Sequence, residues 1–225
     1  KNFFKDEFDE DVDNLWLPDV FGYSAAMPQI LQKTGIETFL TQKLSWSQFN
    51  EFPHHTFNWR GIDGSEILTH FPPENTYNSQ LDTEFLIPAE SNFKEKDFID
   101  NFICLFGVRD CGGGPKPENI ELGMRMANLE GAPKVKLGTA DSLFEKLHEQ
   151  IDELATWSGE LYLELHRGTY TTQAQVKKNN RLLEQKLRAV EFLWSCLPLD
   201  NYPSELDGIW KNTLMNQFHD ILPGS

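Results

Sequence analysis

The sequence predicts an α/β protein, with a mostly parallel sheet or barrel over residues 1–157 and a helical part over residues 158–225. Up to residue 157, short apolar segments of strand length alternate with segments of helix length that end at glycine, a pattern typical of βαβ units. After residue 157, apolar residues recur at helical spacing. The 225 residues are 39% hydrophobic and 24% charged, which is the composition of a globular protein.

The first strand-helix pair follows an acidic N-terminal stretch. Residues 12–18 (VDNLWLP) predict a buried strand that ends at a Pro-Asp turn. Ser24 can cap the helix predicted over residues 25–34 (AAMPQILQKT), and Gly35 ends it. A second short strand, residues 36–41 (IETFLT), comes next.

The same alternation continues to residue 157. A glycine-containing turn joins two extended runs into a hairpin, and a glycine-rich loop leads from a later strand into a helix. In chain order, the predicted elements are strands at 56–60 and 66–71, a strand at 102–107, a helix at 116–131, a strand starting at 135–137, and a helix at 141–157 capped by Asp141. Two longer helices are predicted beyond them, at 172–197 and 206–218.

Two carboxylates follow predicted strands, where the chemistry of parallel sheets and barrels collects. Asp19 lies in WLPDVFGYS beside aromatic residues that would exclude water, so it suits a nucleophile or a metal ligand. Asp110 lies in FGVRDCGGGP, whose glycines would let the backbone fold around a bound group, as a general acid requires. The structural alternatives are that Asp19 only caps its turn and that the glycine run is an ordinary loop.

A histidine near the C-terminus is a third candidate. His219, followed by Asp220 in NQFHDILPG, ends a predicted helix and could bind a metal or be a hydrogen-bonded core residue. The sequence contains no H-E-x-x-H, H-x-x-E-H or short H-x-D string, so local motifs do not assemble a complete metal site.

The charge and the cysteines narrow the class of partner. With 20 basic and 35 acidic residues, the formal net charge of −15 disfavours nucleic acid and anionic membranes and favours a neutral substrate. Cys104, Cys111 and Cys196 are too sparse for a disulfide framework, which indicates a reducing compartment such as the cytoplasm. No secretion signal or long apolar run is present, and a homo-oligomer is compatible with the composition.

Six strings along the chain resemble glycoside hydrolase family 38, the class II α-mannosidases, in order and with natural spacing. The form FGYS and the QKLSW region are similar to the cytosolic and bacterial branch of that family. The strings are WLPDVFGYSAAMPQIL, FLTQKLSW, FPHHTFNWRGIDG, LTHFPP, GELYLELHRGTYTTQAQVKKNNR and NQFHDILPGS. The resemblance implies an incomplete (β/α) barrel-like catalytic domain over residues 1–157 and the start of a three-helix-bundle subdomain over residues 158–225.

The resemblance also implies site residues. Asp19 corresponds to the family's nucleophile and zinc ligand, and Asp110 to its acid/base carboxylate, although Arg109 and Cys111 replace glycines of the family's loop. His219 corresponds to a zinc ligand and Asp220 to a residue that contacts sugar hydroxyls. The further candidates for lining the sugar site are Lys43, Trp46 and His70, for which structural support is the alternative.

The implied activity is the hydrolysis of terminal α-mannosides in mannose-containing oligosaccharides, through a covalent intermediate and with the help of Zn²⁺ or another divalent cation. The family's His-x-Asp zinc pair is not found in the sequence, so we expect this chain to be an inactive fragment. Two other functions stay open. A metal-dependent carbohydrate deacetylase would use Asp19 and His219 to hold an ion that activates water, and a non-catalytic sugar-binding protein is favoured by the altered loop around Asp110.

Overall fold

The computed structural model describes residues 1–108, 113–198 and 201–224, which divide into two compact units, Lys1–Leu165 and His166–Ser225. Among the described residues, the first unit contains α1 Asn2–Phe8, β1 Asn14–Trp16, α2 Met27–Lys33, β2 Thr38–Leu40, β3 Thr56–Arg60, β4 Glu66–His70, α3 Thr83–Asn92, α4 Pro117–Arg125, α5 Ala140–His148 and β5 Thr156–Ser158. Short 3-10 helices lie at Lys43–Trp46, Met126–Asn128 and Ile151–Glu153.

The five strands form one mixed sheet in the order β1-β2-β4-β3-β5. β1, β2 and β4 are parallel, the β3-β4 hairpin is antiparallel, and β5 runs parallel to β3. The pairs Trp16–Leu40 and Leu40–His70 place the last residues of β1, β2 and β4 in one row across the sheet. The predicted α/β class is therefore confirmed, and in the described part of the chain the sheet is open, with β1 and β5 at its edges.

Both faces of the sheet are buried. Neighbouring residues of a strand point to opposite faces, so Phe39 and Ile67 join the core on one side while Leu40 and Leu68 join the core on the other. Burial on both faces explains why β2 places the apolar residues Phe39 and Leu40 next to each other, without alternation. Trp59, which is fully buried, anchors the first of these cores.

Two predicted strands are wrong. Residues 102–107 and 135–137 do not belong to any element of the sheet. Phe102 and Leu105 pack, half-buried, against the second core, but Leu105 accepts a single backbone bond from Ser79 and not a ladder of bonds. An apolar run reports that side chains are buried, and here the burial occurs without strand pairing.

The predicted helix boundaries also shift. The helix predicted over residues 141–157 ends at His148, and residues 156–158 form β5. α5 begins at Ala140 and is capped by Thr139, whose hydroxyl accepts a bond from the Ser142 amide, so Asp141 is not the cap. Ser24 Oγ accepts a hydrogen bond from the Ala26 amide, and because Ala26 is the N-cap of α2, Ser24 lies two residues before the cap. Short polar residues close to the start of a helix compete for the same backbone amides. The sequence alone does not show which of these residues becomes the N-cap.

The second unit is helical, as predicted. Its elements among the described residues are a 3-10 helix at Arg167–Tyr170, α6 Ala174–Ser195 and α7 Ser204–Met215. The Trp210 indole on α7 donates to Glu191 on α6, and the Gln217 amide after α7 donates to Glu184 on α6. Neither these helices nor those of the first unit include, in the residues described, a segment both long and apolar enough to cross a bilayer.

Candidate active site

Asp19 lies at the carboxyl edge of the parallel strands. The β1-β2 ladder extends one residue past β1, where the Leu17 amide donates to the Leu40 carbonyl at 3.1 Å. Pro18 has no amide hydrogen to continue the ladder, and the chain turns away at Asp19. The Asp19 side chain is 26% exposed, so its carboxylate faces the surface at the end of the sheet.

Lys43 occupies the equivalent position after β2, three residues past the strand end, as Asp19 is after β1. Its ammonium lies 2.7 Å from Asp19 Oδ1, and its side chain is only 5% exposed. A buried ammonium is strongly disfavoured without a partner, and the Asp19 carboxylate provides that partner. This contact restrains the orientation of the Asp19 carboxylate.

Aromatic rings surround the Lys43 ammonium. The ring of Trp46 lies 3.7 Å from Nζ and that of Phe21 lies 5.4 Å away, both within cation–π range. Trp46 is also 49% exposed, so part of its indole remains open to a ligand. The structure thus brings together three predicted site residues, Asp19, Lys43 and Trp46.

Tyr23 is a residue of this region that the sequence reasoning missed. Its hydroxyl lies 2.7 Å from the Leu17 carbonyl and 2.5 Å from Thr41 Oγ1, so it touches the segments that lead to Asp19 and to Lys43. Burial raises the pKa of Tyr23 well above its usual value, so the hydroxyl keeps its proton. The FGYS string drew attention to this position, but only the fold shows the contact with Thr41.

Glu164 is a second missed residue, and it lies in the ELHRGTYTT string. Its buried carboxylate accepts bonds from the backbone amides of Phe49 and Asn50 and from the Asn50 side chain at 2.8 Å. The hydrogen bond from the Phe49 amide is the main cause that lowers the pKa of Glu164. Glu164 therefore holds the segment that follows Trp46.

His70 is fully buried at the end of β4. The Ile103 amide donates to its Nε2 at 3.4 Å, which leaves Nδ1 to donate to Thr56 Oγ1 at 2.9 Å. Burial lowers the pKa of His70 to about 3, so the ring is neutral. With both ring nitrogens bonded inside the protein, His70 supports the sheet end from within, which is the structural alternative to lining the sugar site.

The other predicted residues lie elsewhere in the chain. Asp110 lies outside the described residues. His219 and Asp220 belong to the second unit, just after α7, with His219 Nε2 3.6 Å from Asp220 Oδ1 and the Phe218 ring 4.3 Å from the imidazole.

The described residues do not fit a complete metal centre. Within residues 1–108, 113–198 and 201–224, no three His, Cys, Asp or Glu side chains come together as potential ligands. Asp19 offers one carboxylate, and its nearest cationic partner is the Lys43 ammonium. A zinc or other divalent site would therefore need ligands beyond this set.

A cavity of about 750 Å³ lies on another part of the first unit. It opens along the β1 edge, where Trp16 and Leu40 face the segments around Phe102 and Leu137. Asp19, Lys43 and Trp46 are not among its lining residues. The three candidate residues therefore lie outside the lining of this cavity, although the last residues of β1 and β2 belong to it.

Comparison with known proteins places the chain in a family. Residues 1–160 match the family described as glycosyl hydrolases family 38 N-terminal domain, and residues 164–225 match the alpha mannosidase middle domain. The chain belongs to glycosyl hydrolase family 38. The family resemblance of the six strings is thereby confirmed.

Similar proteins include named α-mannosidases. Over its whole length the chain is 47% identical to alpha-mannosidase 2C1 of Mus musculus, 46% to alpha-mannosidase G of Dictyostelium discoideum and 44% to an alpha-mannosidase of Saccharomyces cerevisiae. It spans 21–22% of the length of these relatives. The crystal structure of an alpha-mannosidase from Enterococcus faecalis shares the fold, with a TM-score of 0.72 at 19% identity over 99% of this chain and 27% of that one.

Proposed function

We propose that this family 38 chain contributes the nucleophile of an α-mannosidase that hydrolyses terminal α-mannosides of glycans with retention of configuration. The observation that carries the proposal is the Asp19–Lys43 pair, 2.7 Å apart at the carboxyl ends of two parallel strands, beside the half-exposed Trp46. The names of the similar proteins support the substrate class.

In the first step, a carboxylate oxygen of Asp19 attacks the anomeric carbon while the bond to the leaving oxygen breaks. Asp110 gives its proton to that oxygen, and a mannosyl ester on Asp19 forms. In the second step, Asp110 removes a proton from water, whose oxygen attacks the anomeric carbon and releases mannose and the Asp19 carboxylate.

Lys43 orients the nucleophile, and Trp46 provides a surface for the sugar. The ammonium bonded to Asp19 Oδ1 limits the rotation of the carboxylate and so helps to orient it toward the substrate. The exposed part of the Trp46 indole offers an apolar surface for the C–H face of a sugar. His70 supports the strand end below them, and we propose Asp220 as a contact for sugar hydroxyls.

We also propose a Zn²⁺ or other divalent ion in the full-length protein, with Asp19 and His219 as two of its ligands. This assignment is supported by the match of their motifs to the family, while the described residues supply no complete set. When bound, the ion would orient sugar hydroxyls. The sparse cysteines support the further proposal that the enzyme works in the reducing cytoplasm on neutral mannose-containing oligosaccharides.

The proposal is tested with the full-length protein on an aryl α-mannoside and on a mannobiose, which has a poorer leaving group. We expect Asp19→Asn to lower kcat on both substrates by on the order of 10⁴-fold, because the nucleophile is lost. Asp110→Asn should slow the mannobiose far more than the activated aryl mannoside, and azide should restore part of the aryl activity.

Asp13→Asn is the matched control, because Asp13 is an exposed carboxylate just before β1. It should behave like the wild type. Release of acetate from acetylated sugars without mannoside hydrolysis would support a deacetylase, and sugar binding without any turnover would support a non-catalytic protein.

A further inference from the structure

Tyr23 joins the two chain segments that carry Asp19 and Lys43. Leu17 precedes Asp19 by two residues, and Thr41 precedes Lys43 by two residues. The Tyr23 hydroxyl lies 2.7 Å from the Leu17 carbonyl and 2.5 Å from the Thr41 hydroxyl. One oxygen atom thus connects the continuations of β1 and β2 at the point where the ladder between these strands ends.

The direction of both hydrogen bonds follows from the donors present. A carbonyl only accepts, so the single proton of Tyr23 goes to Leu17. Thr41 must then donate its own proton to the Tyr23 oxygen. Because burial raises the pKa of Tyr23 above its ordinary value, the hydroxyl keeps its proton at neutral pH and can donate it to Leu17.

Tyr23 is itself held on its backbone and its ring. Its amide donates to the Leu161 carbonyl at 2.8 Å, and its carbonyl accepts from the Leu161 amide at 3.0 Å. Its ring packs edge-on against Phe39, with 5.0 Å between centroids. Gly22 permits this approach, because it has a φ of +107° and a Cβ there would lie 3.1 Å from the Leu161 carbonyl oxygen.

We propose that Tyr23 is a positioning residue that sets the separation of Asp19 and Lys43 through its bonds to Leu17 and Thr41. The inference rests on the proposed role of Asp19 as nucleophile. The attacking Asp19 oxygen must lie within about 0.5 Å of its productive position relative to the anomeric carbon. A displacement of about 1 Å lowers a rate by on the order of 10²-fold. Tyr23 acts on the reaction only through these neighbours and does not touch the substrate.

The test uses Tyr23→Phe and Thr41→Val in the full-length protein, because each removes one hydroxyl of the link. Active sites are counted by labelling with a fluorinated α-mannosyl fluoride, which forms a slowly hydrolysed ester with the nucleophile. We expect kcat per labelled site on an aryl α-mannoside to fall about 10- to 100-fold in each variant, with KM within about twofold of the wild type. A purely structural role would lower the number of labelled sites and leave kcat per site unchanged.

The double variant tests whether the two hydroxyls act through the same link, and the control variants test whether the effect is specific to it. Both changes break the same link, so Tyr23→Phe with Thr41→Val should be no slower than the slower single variant. Thr41→Ser keeps the hydroxyl and should retain kcat. Tyr202→Phe in the second unit also loses a hydroxyl bonded at 2.7 Å, to Glu191, and should retain kcat as well.

Two kinds of failure are distinguishable. If the wild type hydrolyses the mannoside and Asp19→Asn does not, but Tyr23→Phe and Thr41→Val match the wild type in kcat per site, the positioning role is overturned. If Asp19→Asn is as active as the wild type, the proposed function fails and the inference fails with it. Should Tyr23→Phe not fold, Thr41→Val decides the matter, because it leaves the aromatic packing intact.

Discussion

The Asp19 carboxylate must remain ionised to act as a nucleophile and must point one oxygen at its substrate. The Lys43 ammonium restrains the carboxylate, because it lies 2.7 Å from Oδ1 while the rings of Trp46 and Phe21 enclose it. A charge-assisted bond in such a setting stabilises its partners by roughly 1.5–3 kcal/mol. The proposed activity therefore depends on the ion pair between Asp19 and Lys43.

Replacing Lys43 tests this dependence. We expect Lys43→Met, which keeps the length of the side chain and removes its charge, to lower kcat/KM on an aryl α-mannoside by roughly 10- to 150-fold, the equivalent of that bond. Lys43→Arg keeps a cation and should lose less. Steady-state kinetics of the full-length protein measure both, and a Lys43→Met enzyme with wild-type kcat/KM would show that Asp19 does not need the ammonium.

The sequence located Asp19, Lys43 and Trp46 because each lies in a long string typical of its family. It did not locate Tyr23 or Glu164 as site residues, because their roles are contacts with segments that are 18 and 114–115 positions away. Periodicity and motifs describe local structure, whereas these contacts exist only once β1 and β2 are paired and the chain has returned after β5. The same limit applies to His70, whose burial became evident only from the fold.

At the scale of elements, the prediction succeeded where local signals agreed with one another. The β3-β4 hairpin consists of two extended runs joined by a glycine-containing turn, and it was predicted within a residue of its observed limits. The segment at 102–107 carries apolar residues without any signal of its strand partner, and it proved to be a half-buried coil. Strand pairing is a long-range property, so a run of apolar residues alone does not determine it.

The segment after the Lys43–Trp46 helix depends on Glu164 for its order. Glu164→Gln should weaken the bonds from Phe49 and Asn50, because a neutral amide accepts less strongly than a carboxylate and presents one oxygen instead of two. We expect faster hydrogen exchange in the peptide that contains Phe49 and Asn50, with unchanged exchange in β3, measured by mass spectrometry. Glu160→Gln, an exposed neighbour, is the control. Equal exchange in all three proteins would show that the segment is held by other contacts.

At the scale of the whole molecule, the two units of the structure correspond to two family domains. The first unit ends at Leu165 and the first family match ends at residue 160, while the second match covers 164–225. The loss of strand periodicity after residue 157 predicted a change of architecture in this part of the chain. The family domains explain that change, because an α/β region is followed there by a helical one.

The first unit buries histidines that cannot easily become charged. Burial lowers the pKa of His70 to about 3, and burial together with the nearby Lys94 lowers that of His55 to about 4. Both values lie below the ordinary histidine pKa of 6.5. Between the lowered pKa of each histidine in the folded protein and the ordinary pKa of 6.5, the unfolded chain binds more protons than the folded one. The free energy of unfolding therefore rises with pH over this range. The contribution of each histidine is complete above about pH 6.5 and is lost as the pH falls toward its folded value.

We therefore expect the first unit to lose stability steeply between pH 6.5 and pH 4.5. Each histidine can contribute a slope of up to about 1.4 kcal/mol per pH unit. Native-state hydrogen exchange of β3 and β4, corrected for the intrinsic pH dependence of exchange, measures this slope in the full-length protein. His70→Gln should flatten it, because the titrating group is removed. Thr56→Val removes the hydrogen-bond partner of His70 but keeps the buried imidazole, so it should lower stability at every pH and retain the slope. A slope that His70→Gln leaves unchanged would mean that His70 does not couple folding to protonation.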